Sequence, residues 1–185
     1  TYAGTNSYSG NYTQVVSSLD FALCNATYTA KVLNISFIDE TTALPMNATM
    51  DASTWSYYIG DSLTAKSFTF SNTTHNYYYS FCIYPSSVPS FHSFETLQYS
   101  NSESGTFPQR RTSFTDTYYN NSLTNRSLYL LNLNNGITSN YQVISIGNQV
   151  ITGAHIIVQR VISGNVTTIT DGYTDSAGTI TFFLN

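Results

Sequence analysis

The sequence predicts an all-β protein built as two packed β-sandwich units. Period-two alternation of apolar and polar residues recurs along the chain, and helical periodicity is nearly absent. The 16 Tyr and 11 Phe residues suit pleated, half-buried surfaces. Clusters of Ser, Asn, Gly and Pro separate the apolar runs, as turns between short strands require.

Residues 1–18 form a polar, Gly-bearing arm with Tyr2, Tyr8 and Tyr12, and its first apolar pair is Val15-Val16. Such a segment has too little apolar surface to fold alone. It is expected to act as a donor strand, pairing along an open sheet edge in its own copy or a neighbour's. Residues 19–138 are expected to form a β-sandwich domain. Between Thr29 and Asp39, Leu33, Ile35 and Phe37 share one face, with Asn34 and Ser36 on the other. Phe68 and Phe70 alternate with Thr69 and Ser71, and Tyr77, Tyr79, Phe81 and Ile83 alternate with Tyr78, Ser80 and Cys82. The stretch 86–125, with Pro89, Gly105, Pro108 and Arg110-Arg111, is expected to run as long connections over a sandwich face, the kind of loop that forms interfaces. Leu128–Leu133 is a further apolar segment, with Tyr129, Leu131 and Leu133 on one side.

Residues 139–185 read as four strands: Tyr141–Ile146, His155–Ile162, Val166–Asp171 and Thr179–Leu184. Ser163-Gly164-Asn165 has hairpin chemistry. Asp175-Ser176-Ala177-Gly178 has the Asp and Gly of a type I turn followed by a left-handed glycine. Ile151-Thr152-Gly153-Ala154, the strand from His155 to Val161, and the run from Asp171 to Phe182 resemble the prealbumin-like modules of surface proteins, the Cna B-type and carboxypeptidase-regulatory-like repeats. The resemblance implies an immunoglobulin-like or prealbumin-like β-sandwich and a structural spacer role. Some members form a Lys–Asn isopeptide cross-link, but this segment contains no lysine. A sandwich of this kind has about seven strands, so four leave room for strand exchange between subunits.

Composition points outside the cell. Charged residues make up 9% of the chain, against roughly a quarter in ordinary soluble domains. Solubility falls to neutral groups, with Ser and Thr at about 28%. Eight asparagines lie in N-x-[ST] sequons: Asn11, Asn25, Asn34, Asn47, Asn72, Asn120, Asn125 and Asn165. They are the expected N-glycosylation sites, so covalently attached glycans are expected partners. The chain begins with Thr and no leader pattern follows, which suggests a processed product or a fragment. Cys24 and Cys82 are the only cysteines, and an even pair in a secreted chain reads as a disulfide. A net charge of −4 with scattered basic residues argues against a nucleic-acid partner. No apolar run approaches the roughly 20 residues of a membrane span.

Nothing in the sequence assembles a catalytic site. His75, His92 and His155 are isolated, with no second ligand at zinc-like spacing, and His155 is expected to face solvent. Asp171 and Asp175 read as turn-capping residues. Glu40, Glu95 and Glu103 lie in different regions, unlike the paired carboxylates of a glycosidase. No nucleophile elbow or phosphate loop is present. No enzyme activity, metal or cofactor is therefore expected. Trp55, Tyr77-Tyr78-Tyr79 and Tyr118-Tyr119 are candidate contacts for sugars or a partner, and Arg110-Arg111 for an interface or a solvated loop. The expected role is a self-associating structural subunit of an extracellular glycosylated filament or surface layer, at a cell or virion surface, assembling head-to-tail. The alternative is a carbohydrate-binding adhesin or a viral receptor-binding fibre domain.

Overall fold

Alternation translates directly into layers. Leu33, Ile35 and Phe37 are fully buried along one strand, and Tyr79, Phe81 and Ile83 along its neighbour. The structure is a computed structural model that describes residues 19–59, 64–88, 90–101, 106–120 and 122–185. The arm with Tyr2, Tyr8, Asn11, Tyr12, Val15 and Val16 lies outside the described residues, as do Pro89, Glu103 and Gly105.

Among the described residues there are thirteen strands: β1 (Asp20–Leu23), β2 (Ala30–Asp39), β3 (Pro45–Met46), β4 (Ala48–Tyr58), β5 (Lys66–Asn76), β6 (Tyr78–Tyr84), β7 (Ser90–Asn101), β8 (Phe107–Asn120), β9 (Thr124–Leu130), β10 (Ile137–Gln142), β11 (His155–Ile162), β12 (Asn165–Tyr173) and β13 (Thr179–Leu184). One sheet runs β1-β6-β2, with β3 also on β2 and with β9 parallel to β2. The second runs β5-β4-β7-β8. The two sheets close on a single aromatic-rich core, in which Trp55 lies 4.8 Å from Phe81 and 5.6 Å from Phe21 between ring centroids. Each such pair adds about 0.5–1.5 kcal/mol beyond its buried area. No helix is long and apolar enough to cross a membrane.

The disulfide joins Cys24 to Cys82 and pins the short edge strand β1 to β6. Closing a loop of 58 residues' separation contributes about 4 kcal/mol in the chain-entropy model.

Beyond the sandwich, among the described residues, β10 pairs only with β13 and β11 only with β12, giving two two-stranded ribbons. Side chains dock the second ribbon on the edge strand β8. The Thr170 hydroxyl donates to the Arg111 carbonyl (2.9 Å), and the Ser113 N–H donates to Asp171 Oδ1 (2.5 Å). The turn between β12 and β13 forms as its residues require. Asp175 Oδ1 accepts from the N–H groups of Ala177 and Thr179, and Gly178 takes φ +68°. Ser163 and Gly164, both at positive φ, join β11 to β12.

Four sequence expectations are corrected. The stretch 86–125 is not a set of connections, because β7 and β8 pair into the longest hairpin of the described chain. The Tyr141–Ile146 strand is displaced to Ile137–Gln142. Past Gln142, the Val143 carbonyl accepts from Ile151, and residues 143–151 fold back as a finger through the Ile144–Val150 bridge. Val166–Asp171 is the centre of a longer strand. In the Leu128–Leu133 segment, Leu128, Leu130 and Leu131 are buried while Leu133 is exposed. The strand ends at Leu130, and Asn132 caps a 3-10 turn over Leu133–Asn135.

Candidate functional site

The outward faces of β4, β5, β7 and β8 carry the most distinctive surface. Outward alternation sets hydroxyls side by side. Thr69 pairs with Thr54, Thr54 with Thr96, and Thr96 with Ser113, one row across four strands. In the next row Ser67 pairs with Ser56, and Ser56 with Phe94. These residues line a cleft of about 350 Å³, at whose end stands Tyr173 from β12. Tyr173 is stacked on His155 at 4.5 Å, and the Arg111 guanidinium lies 5.5 Å from its ring centroid.

Beyond Phe94 the same face continues as an aromatic ladder. Tyr58 stacks on His92 at 5.2 Å, and His92 meets Tyr118 edge-on at 5.1 Å. Asp116 accepts from His92 Nδ1 (2.8 Å) and the Tyr58 hydroxyl (3.1 Å). These bonds, His92 first, hold the Asp116 carboxyl below its ordinary range.

Under this face the sandwich buries charge. Glu95 points inward, hydrogen-bonded by the Tyr119 hydroxyl, with Arg126 Nε at 3.3 Å. Burial pushes the Glu95 carboxyl above the carboxylate range, while Arg126 and Tyr119 pull the other way. The Tyr119 hydroxyl is pushed up by burial and by the Glu95 charge. Burial also pushes Tyr99, which shares a hydrogen bond with Thr112, up to about 12.

A second buried cluster ties three parts of the chain together. Glu40 bonds Arg110 from β8 and Arg160 from β11, the latter at 2.7 Å. Arg110 also donates to the carbonyls of Tyr129 and Phe183, each at 3.2 Å.

These positions correct several expectations. Trp55 is buried on the inner face and is no sugar-stacking candidate. Arg110 is not a solvated loop residue, and Glu40 and Glu95 are internal ion-pair partners. His155 is exposed on β11 as expected, and its Nε2 also bonds Asp171 Oδ2 at 2.5 Å. Asp171 is a buried strand residue, and Asp175 alone caps the turn. Tyr77, Tyr78 and Tyr118 are exposed, whereas Tyr79 and Tyr119 are core residues.

The sequons fall in two groups. Asn25, Asn120, Asn125 and Asn165 are exposed, while Asn34, Asn47 and Asn72 are half-buried. Asn34 faces outward but sits mid-sheet, accepting from Ser80 (3.0 Å) and donating to Asn125 Oδ1 (3.4 Å). Among the described residues no group of His, Cys, Asp and Glu side chains could hold a metal ion.

At the other end of the molecule the ribbons leave apolar groups in water. Ile157, Val161 and Val166 are more than half exposed, with Val161 and Val166 directly paired. The 143–151 finger exposes Ile144, Ile146 and Val150. Among the described residues, no strand pairs with the outer edge of β10 or β11.

Fold and surface together define an all-β sandwich with a disulfide, a hydroxyl-lined outer cleft and a C-terminal ribbon pair with exposed apolar side chains. No protein-family model, curated protein or solved structure matches the chain.

Proposed function

We propose that this chain is a structural subunit of an extracellular, glycosylated filament or surface layer, assembling head-to-tail with other copies of itself. The observation that carries the reading is the C-terminal ribbon pair, whose outer edges have no partner strand among the described residues and whose apolar side chains are exposed. Isolated two-stranded ribbons are marginal in water. Unpaired edges beside exposed Ile and Val are a template for another strand. Residues 1–18 have the composition of that strand: polar, with Tyr2, Tyr8, Tyr12, Val15 and Val16 available to seat against apolar positions. One copy donates the arm and the next accepts it along β11. The immunoglobulin-like character of the ribbon segment belongs to the same reading, since a donated strand raises its strand count toward a full sandwich.

Two further observations support an extracellular setting. The Cys24–Cys82 disulfide is compatible with an oxidising compartment. Four of the seven described sequons are exposed enough to carry a glycan without rearrangement.

The test is an Ile157→Arg/Val161→Arg double variant on β11. Both side chains already face water, so its melting temperature should stay within about 3 °C of the parent. Its filaments, measured by electron microscopy and sedimentation, should be shortened or absent. Filaments of parental length from a folded variant would contradict acceptance of the strand along β11.

A further inference from the structure

We infer that the outer cleft over β4, β5, β7 and β8 is a binding site for a neutral oligosaccharide, a function independent of assembly. Its floor is a row of hydroxyls, Thr69, Thr54, Thr96 and Ser113, from four consecutive strands of the sheet. Adjacent strands lie about 4.8 Å apart, so the row repeats at a spacing close to the rise of an extended pyranose chain. Among the described residues, none of the Thr54, Thr69 or Thr96 hydroxyls is committed to a partner within the chain. Ser113 Oγ, at the end of the row, is buried and also lacks a partner.

Phe94, 44% exposed in the adjoining row, supplies the apolar wall. A pyranose offers both halves of the match, a ring of hydroxyls that donate and accept and a C–H face that packs on an aromatic ring. Tyr173 lines the cleft beside Arg111, its ring stacked on His155 and so ordered before ligand arrives. The volume, about 350 Å³, lies in the range of small-ligand clefts.

Other ligand classes fit poorly. Arg111 is the one cation lining the cleft, and it is engaged by Asp171 at 3.6 Å, too little positive charge for a polyphosphate. The Glu95 carboxylate turns inward to Arg126 and Tyr119, so it is not presented to a cation. A protein partner would call for an apolar centre to the patch, whereas the central row of this floor is Thr and Ser, with the aromatic Phe94 set to one side.

The experiment is titration calorimetry of the full chain with cellohexaose, mannohexaose and chitohexaose, backed by an array of neutral oligosaccharides. Three variants accompany it: Phe94→Ala, the double change Thr54→Val/Thr96→Val, and Tyr77→Ser, whose exposed ring lies outside the cleft. Valine keeps strand propensity while deleting the hydroxyl, so these variants should melt near the parent temperature. The expected result is binding of at least one probe with Kd below about 1 mM, weakened about tenfold or more in the first two variants. Tyr77→Ser should bind as the parent does. Absence of binding to every neutral saccharide, or equal binding by the parent and all three variants, would overturn the inference.

Discussion

Arg110 is where the sandwich and the C-terminal ribbons are joined, and replacing it with methionine should cost more stability than any exposed change. Its guanidinium bonds Glu40 and reaches the carbonyls of Tyr129 on β9 and Phe183 on β13. The Glu40 side chain is fully buried and that of Arg110 is 3% exposed. Removing one partner of a buried pair leaves an uncompensated charge, at a cost of about 3–5 kcal/mol. Arg160 offsets little, because its side chain is more than a third exposed and solvent screens it. For a chain of this length the cost corresponds to a fall in melting temperature of about 10 °C. Urea unfolding measures it as a lower midpoint at unchanged slope. The double variant Glu40→Leu/Arg110→Met removes both charges and should recover at least about half the loss. Arg160, near the surface, can then turn to water. A loss below about 1 kcal/mol in Arg110→Met, or a double variant no better than the single, would show that charge burial is not what makes the site costly.

Three other outcomes follow from particular contacts. Replacing Cys24 and Cys82 with serine should lower stability by about 4 kcal/mol, read by urea unfolding, and a reductant should destabilise the parent by a similar amount. Burial raises the folded-state pKa of Tyr99 from 10.0 to about 12, and burial with the Glu95 charge raises that of Tyr119. A raised pKa contributes stability below pH 10 that is lost as pH climbs toward 12. Melting temperature should therefore fall across that window, and the last tyrosinate absorbance at 295 nm should appear together with unfolding. Gly178→Ala should destabilise by about 1–3 kcal/mol in thermal melts, because an added Cβ at φ +68° would sit 2.9 Å from the Val143 carbonyl oxygen.

Sequence legibility followed the physics of alternation. Strands whose inner face is wholly apolar, such as β2 with Leu33, Ile35 and Phe37, can be read without a structure. The β7–β8 hairpin could not, since its inner face carries Ser93, Glu95, Arg110 and Thr112. Those residues read as loop chemistry until their distant partners, Tyr119, Arg126 and Glu40, are known. The parallel pairing of β2 with β9 joins residues about ninety positions apart and leaves no local trace. The turn residues Ser163-Gly164 and Asp175–Gly178 were legible because a specific backbone conformation demands them. The outer cleft was not, because Thr69, Thr54, Thr96 and Ser113 come from four strands and acquire meaning only once registered. Trp55 misled for the converse reason: a Ser/Thr-rich neighbourhood suggests exposure, yet strand parity turns the indole into the core.

Electron microscopy of concentrated full-length chain, beside a chain lacking residues 1–18, separates assembly from every other role. Head-to-tail strand donation predicts filaments of regular axial rise from the full chain and dispersed particles from the truncated one. Filaments from both, or dispersed monomers from both, would contradict it.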